Sequence, residues 1–293
     1  TLYIANHDLN LEGDVTISSG TLSSWDSPDQ NESRTISLKG DWANYAGESG
    51  FEPGDGRVIF NGPGHQYVAT DESFNILEVN NGAALRINNP STEVTCEVYD
   101  WTAGGIDVVA GTFTINDLFD PGMYGTFWCN PDGELNINQD GTQWIDLNGE
   151  LHVFGGTVNV FGGSYGWWPY DGDAVIEVSD GELNIESAVI LKTSGIFSFT
   201  EDITGGTIRF NDLFVDERGD FNPEGGTIEF TGAEDAQISQ TPGSHFYDLV
   251  INKTDGVFSK AMGPESTQKM QNQQGKTLDG RDLFLPQSTR AAN

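Results

Sequence analysis

Gly205-Gly206-Thr207-Ile208-Arg209-Phe210 returns 20 residues later as Gly225-Gly226-Thr227-Ile228-Glu229-Phe230. Each copy is a double-glycine turn followed by a run in which Ile and Phe alternate with Thr, Arg or Glu. Side chains on a strand point to opposite faces in turn, so this alternation describes a strand with one buried face. A unit of about 20 residues that contains one turn and one such strand is a coil of a β-solenoid. Ile208 and Ile228 should therefore lie one above the other in a single column.

The same phrase echoes through the chain. Gly133-Glu134-Leu135-Asn136-Ile137, Gly149-Glu150-Leu151-His152-Val153 and Gly181-Glu182-Leu183-Asn184-Ile185 read as one strand written three times. Gly155-Gly156-Thr157-Val158-Asn159-Val160 and Gly111-Thr112-Phe113-Thr114-Ile115 repeat the Gly-Thr form. Their spacing is uneven, which implies coils with loops of unequal length. No stretch carries a helical period. Inward Ile, Val, Leu and Phe should pile up in like-on-like columns, each fully buried side chain contributing roughly 1.5–3 kcal/mol.

A longer pattern occurs twice. Phe51-Glu52-Pro53-Gly54, Gly56-Arg57-Val58-Ile59-Phe60-Asn61-Gly62, Gln66-Tyr67-Val68 and Phe74-Asn75-Ile76-Leu77-Glu78-Val79-Asn80 form the first block. Phe221-Asn222-Pro223, Gly226-Thr227-Ile228-Glu229-Phe230-Thr231-Gly232, Gln237-Ile238 and Phe246-Tyr247-Asp248-Leu249-Val250-Ile251-Asn252 form the second, with a two-residue length difference in the later turn. This resembles a repeat of large secreted and cell-surface proteins of bacteria. The resemblance implies an all-β fold, the right-handed parallel β-helix, and an extracellular or cell-surface location. It implies nothing about activity.

Bulk properties agree with an elongated chain of coils. Hydrophobic residues make up 36% of the 293, little for a compact globule, while 37 glycines suit many tight turns. No apolar run approaches the roughly 20 residues that span a bilayer, so no membrane span is expected. The formal net charge is -32. Such a surface repels nucleic acid and anionic membranes, and its self-repulsion is relieved by salt or divalent cations. Residues 259–293 are the exception, with five bases, three acids and a net charge of +2, which leaves -34 on the rest. The solenoid pattern runs over 1–258 and breaks there. The remainder, with its single apolar cluster Leu283-Phe284-Leu285, reads either as a disordered tail or as an arm that docks on another subunit.

Thr1 is preceded by neither Met nor a charged-then-apolar leader, as expected of a mature secreted protein or a shortened chain. Cys96 and Cys129 could form one disulfide in an oxidising compartment, or lie as two buried thiols in adjacent coils.

Candidates for chemistry are sparse. The uronate-directed hydrolases of this fold carry Asn-Thr-Asp, Asp-Asp, Gly-His-Gly and Arg-Ile-Lys motifs, and none occurs here. The lyases need a Lys or Arg base beside carboxylates, and the body holds only eight scattered bases. Polysaccharide lyase or hydrolase is accordingly the third reading, and no catalytic residue is assigned. The four His residues have no metal spacing. Asp171 and Asp173, or Asp216 and Asp220, could hold Ca²⁺ loosely, or be solvated acidic turns.

Tyr165, Trp167, Trp168 and Tyr170 crowd one loop with Gly, Pro and Asp. Sugars stack on aromatic faces while carboxylates accept their hydroxyl protons, so the loop suits a glycan-binding or adhesin module. It equally suits an anchor between subunits, or a flap over the solenoid's own flank. Leu2-Tyr3-Ile4 starts as a strand with nothing before it to pair with. An open coil at one end and a basic arm at the other suit head-to-tail stacking, which does not close and so propagates as a homopolymer. The expectation is a self-assembling subunit of a surface fibre, sheath or layer.

Overall fold

The computed structural model describes residues 1–4, 7–25, 32–118, 122–139, 145–162, 167–168, 174–186, 189–191, 199–211, 214–216, 221–233, 235–240, 243–254, 258–261, 270–272 and 277–278. Over these the chain is a parallel β-solenoid of about nine turns. The only helical element among them is one 3-10 turn, Glu48–Gly50.

From residue 105 onward the turns supply strands to three parallel ladders, the first of which ends at 199–203. The first ladder stacks 105–108, 126–129, 150–153, 174–178 and 199–203. The second stacks 111–115, 133–139, 157–162, 182–185, Thr207–Phe210, Thr227–Phe230, Asp248–Ile251 and Met270–Asn272. The third stacks Gly122–Met123, Ile145–Leu147, Trp167–Trp168, Val189–Leu191, Phe214–Asp216, Ala236–Gln240 and Phe258–Ala261. Along the second ladder a coil takes 20 to 25 residues. Ile208 pairs with Ile228 and Phe210 with Phe230, and all four are buried, as the repeat requires.

The inward columns run through the whole solenoid as one core. In the second ladder they are Phe113, Leu135, Val158, Leu183, Ile208, Ile228 and Leu249 at one position, each 4% exposed or less. Their outward neighbours are Thr114, Asn136, Asn159, Asn184, Arg209 and Glu229. The residue just before the alternating run is Gly at six successive levels: Gly111, Gly133, Gly156, Gly181, Gly206 and Gly226. The corner explains the repetition. Gly181 has φ 81° and Gly226 φ 76°, in the left-handed region that L side chains avoid. A Cβ on Gly181 would also stand 2.3 Å from the carbonyl oxygen of Gly156 in the coil beneath.

The two long blocks occupy equivalent places. Arg57–Phe60 pairs with residues 76–79 at an offset of 19, and Thr227–Phe230 pairs with Asp248–Ile251 at an offset of 21. This is the two-residue difference seen in the sequence. The three-fold strand phrase needs a correction, however. Residues 134–137 and 182–185 lie in the second ladder, but 150–153 lies in the first. The phrase specifies a corner and an inward-outward alternation, and these suit either face.

The earliest coils are less regular. Leu2–Tyr3, Leu22–Ser23 and Phe51–Glu52 form a separate three-stranded parallel sheet, and Val15–Ile17 pairs with Trp42–Asn44 as a two-stranded one. At the other end pairing runs past residue 258. Phe258–Ala261 adds to the third ladder and Met270–Asn272 to the second, and Thr277–Leu278 then joins antiparallel.

Candidate functional site

Among the residues singled out for assembly, Leu2 and Tyr3 pair on one side with Leu22 and Ser23. The Leu2 N–H donates to the Thr21 carbonyl at 2.7 Å and the Ile4 N–H to that of Trp25 at 3.1 Å. Ile4 is buried, while Leu2 is 66% exposed. Leu9–Leu11 has a single neighbour, Thr35–Leu38, and Val15–Ile17 has only Trp42–Asn44 among the described residues. The first coil thus presents a row of strand edges on its outer side. Leu283, Phe284 and Leu285 lie outside the described residues.

Trp167 and Trp168 form a short third-ladder strand between Ile145–Asp146 and Val189. Tyr165, Tyr170, Asp171, Asp173 and Asp220 lie outside the described residues. The backbone of Asp216 pairs with Leu191 and Gln240. No group of three or more His, Cys, Asp or Glu able to hold a metal ion occurs among the described residues. No helix among them is long and apolar enough to cross a membrane.

Cys96 and Cys129 are both free and buried. The ladder neighbours of Cys129 are Val108 beneath and Val153 above, so Cys96 is not the residue stacked against it. Burial pushes both thiols toward the neutral form, Cys129 up to about 12, and the Cys129 Sγ lies 3.3 Å from the carbonyl oxygens of Gly133 and Thr157.

The most developed polar surface was not singled out by any sequence motif. It is the outer column of the second ladder. Asn136 Nδ2 reaches Thr114 Oγ1 at 3.4 Å. Asn159 Nδ2 donates to Asn136 Oδ1 at 2.8 Å, and Asn184 Nδ2 to Asn159 Oδ1 at 2.8 Å. Arg209 Nη1 donates to Asn184 Oδ1 at 3.2 Å and reaches Glu182 Oε2 at 2.7 Å. Arg209 Nε donates to Glu229 Oε2 at 2.8 Å, and Asn252 Nδ2 to Glu229 Oε1 at 2.8 Å. One hydrogen-bonded chain therefore links seven successive coils. The bond to Glu182, with that to Glu229, holds the Arg209 guanidinium above its ordinary pKa. Beside it, Asn211 Oδ1 accepts from Thr231 Oγ1 at 2.8 Å.

A surface cleft of 270 Å³ opens along this column, lined by Asn159, Phe161, Asn184, Glu186, Arg209 and Asn211 among others. A signal was present in the sequence. Asn stands between two inward apolar residues in Leu135-Asn136-Ile137, Val158-Asn159-Val160 and Leu183-Asn184-Ile185, at the same level of three coils.

The first ladder carries a different outer column, Asp107, Trp128, His152, Glu177 and Asp202. The rings of Trp128 and His152 stack with centroids 5.9 Å apart, and His152 Nδ1 lies 2.7 Å from Glu177 Oε2. Two further cations are tied down. Arg57 bridges Glu78 and Asp100, both at 2.5 Å, and Arg86 Nε meets Asp107 at 2.7 Å. Bases are few, and these three arginines tie coils together.

No family model, no curated protein and no solved structure matches the chain.

Proposed function

We propose that this protein is an extracellular structural subunit, a length of β-solenoid that contributes to a surface fibre, sheath or layer by pairing its first coil with another β coil. The observation that carries this reading is the row of strand edges at Leu2–Tyr3, Leu9–Leu11 and Val15–Ile17, each paired on one side only among the described residues. Exposed strand edges are templates for further pairing. A coil from a second copy, or from elsewhere in a longer chain, meets the same backbone. The extracellular location rests on the resemblance of the two long blocks to secreted and cell-surface repeats.

The net charge sets the conditions. At -32, two copies repel each other, and salt shortens the range of that repulsion to about 8 Å at physiological ionic strength. Association is therefore expected to grow with added salt. Sedimentation velocity and negative-stain microscopy across protein concentration and ionic strength test it. Rods longer than one chain are expected, and Leu2→Lys, which adds a charged side chain at the edge, should shorten them. A monodisperse monomer under every condition would overturn the self-stacking reading.

A further inference from the structure

We infer that the cleft over Asn159, Asn184 and Arg209 is a binding site for a neutral saccharide. The inference is independent of coil stacking, because the cleft lies on the flank, many coils from the open edge.

The chemistry of the ligand follows from which hydrogen-bonding groups remain unused. The carbonyl oxygens of Asn159 and Asn184 already accept from the next coil, from Asn184 Nδ2 and Arg209 Nη1 respectively. The Asn211 carbonyl oxygen accepts from Thr231. Each primary amide has two N–H donors and the guanidinium has five. Each carbonyl oxygen has two lone pairs, so the chain of bonds leaves groups of both kinds: one lone pair on each amide oxygen and, as donors, the Asn211 amide, the second N–H of Asn184 and Nη2 of Arg209. The strongest acceptor in the lining is the exposed carboxylate of Glu186. Donors and acceptors side by side, with one strong acceptor among them, match a polyol, whose hydroxyls both accept and donate. Phe161, half-buried on the same wall, offers an apolar surface for the C–H face of a sugar ring.

Charge decides between sugar classes. Arg209 lies between Glu182 at 2.7 Å and Glu229 at 2.8 Å, two carboxylates that more than match its charge, and the nearby Lys253 Nζ donates to the Asn211 and Thr231 carbonyls at 2.9 and 2.6 Å. Glu186 adds another negative charge, on a chain of net charge -32. Three carboxylates against two cations leave the cleft net negative, so a uronate, sulfate or phosphate would meet repulsion, whereas an uncharged ring meets none. At 270 Å³ the cleft falls just below the about 300–1,000 Å³ of typical small-molecule pockets, so it suits one or two rings.

The test is a printed panel of neutral oligosaccharides built from glucose, galactose, mannose and N-acetylglucosamine, with oligogalacturonate as the anionic control. The best neutral member is then titrated by calorimetry. Binding of a neutral member is expected, with oligogalacturonate silent. Asn211→Ala and Glu186→Gln should each weaken it about tenfold, the scale of one hydrogen bond involving a charged or well-placed group. Glu186→Gln breaks none of the bonds that tie coils and Asn211→Ala removes only the one from Thr231 at the surface, so the folding equilibrium should shift by no more than about twofold, or about 0.5 kcal/mol, which separates lost binding from lost fold. Four outcomes would each overturn the inference: no neutral member binds; oligogalacturonate binds best; binding survives both cleft variants but is lost in Trp167→Ala; or calcium chloride alone gives the only heat.

Discussion

Two aromatic triads sit at opposite ends of the solenoid, and they differ by one atom that matters. In the early coils Trp42 packs against Phe51 and Phe74 with centroids 4.8 and 5.4 Å away. In the late coils Phe214 packs against Phe221 and Phe246 at 5.1 and 5.3 Å. Phe51 and Phe221 begin the two long blocks, and Phe74 and Phe246 begin their last strands, so the triads are counterparts. The indole of Trp42 brings an N–H into a site with no exposure to solvent. Such a donor must find an acceptor, and it finds Glu72 Oε2 at 2.7 Å. Asn44 Nδ2 donates to the same oxygen at 3.2 Å, and the Ser73 N–H to Oε1 at 3.0 Å. The position two before Phe246 is a serine, Ser244. One indole nitrogen thus separates a core end with a buried carboxylate from one without.

The largest effect should come from emptying the triads. Phe214→Ala is expected to cost about 3–5 kcal/mol, the usual range for a buried aromatic. Trp42→Ala should cost more, by about 1–3 kcal/mol, because it also strips a hydrogen bond from a buried carboxylate. Denaturant unfolding of the two variants measures the difference. Equal losses would mean that the Trp42–Glu72 bond adds nothing beyond packing.

Converting one triad into the other comes next. Trp42→Phe keeps the aromatic contacts but removes the N–H, and should cost about 2–3 kcal/mol. Adding Glu72→Ser makes the early site resemble the late one and should recover most of that loss. A double variant worse than the single one would show that Glu72 is held by needs other than the indole.

The same carboxylate gives a pH signature. Burial raises the Glu72 pKa above its ordinary 4.5, against the opposing bonds from Trp42, Ser73 and Asn44. Below 4.5 the group is protonated in both folded and unfolded chains. Above it the unfolded chain loses the proton first, so the folded state holds more protons and stability falls as pH rises toward the folded pKa. This is opposite to a carboxylate in an ion pair. Stability of the natural chain relative to Glu72→Gln should therefore decline from about pH 4.5 upward, and comparing the two cancels the many other acids. A difference that grows with pH would reverse the assignment.

How far this was legible in the sequence depends on the range of the signal. The alternation around Ile208 and Ile228 is local, and it named the inward columns correctly. The paired blocks placed Phe51 with Phe221 and Phe74 with Phe246. Phe214 stands seven residues before its block and Trp42 nine before its own, so no alignment of phrases linked them. Trp42 and Glu72 are 30 residues apart and meet only because the intervening turns have particular lengths. For the same reason the Gly-Glu-Leu phrase at Gly149 went to a different face from those at Gly133 and Gly181. The cleft is a property of stacking, assembled from Asn159, Asn184 and Arg209 on three successive coils, and no single stretch contains it.

The smallest expected effect contrasts polar groups inside and outside the coils. Asn44, 3% exposed, donates to Glu72 and to the Gly47 carbonyl at 3.0 Å, and its Oδ1 accepts from the Ala46 N–H at 3.1 Å. Asn159 makes bonds at least as short, 2.8 Å to each neighbour, but on the outer column. Bond length does not decide the outcome; what replaces the bond does. At Asn44→Ala the buried Glu72 carboxylate loses one of its donors inside the coils, and the cost should be about 1–3 kcal/mol. At Asn159→Ala water can satisfy Asn136 and Asn184, and the change should fall within about 0.5 kcal/mol. Unfolding midpoints of the two variants, read side by side, check the ordering. If Asn159→Ala proved the more damaging, the outer chain of amides would be a cooperative spine that holds the coils together, and its unused donors could no longer be regarded as available to a ligand.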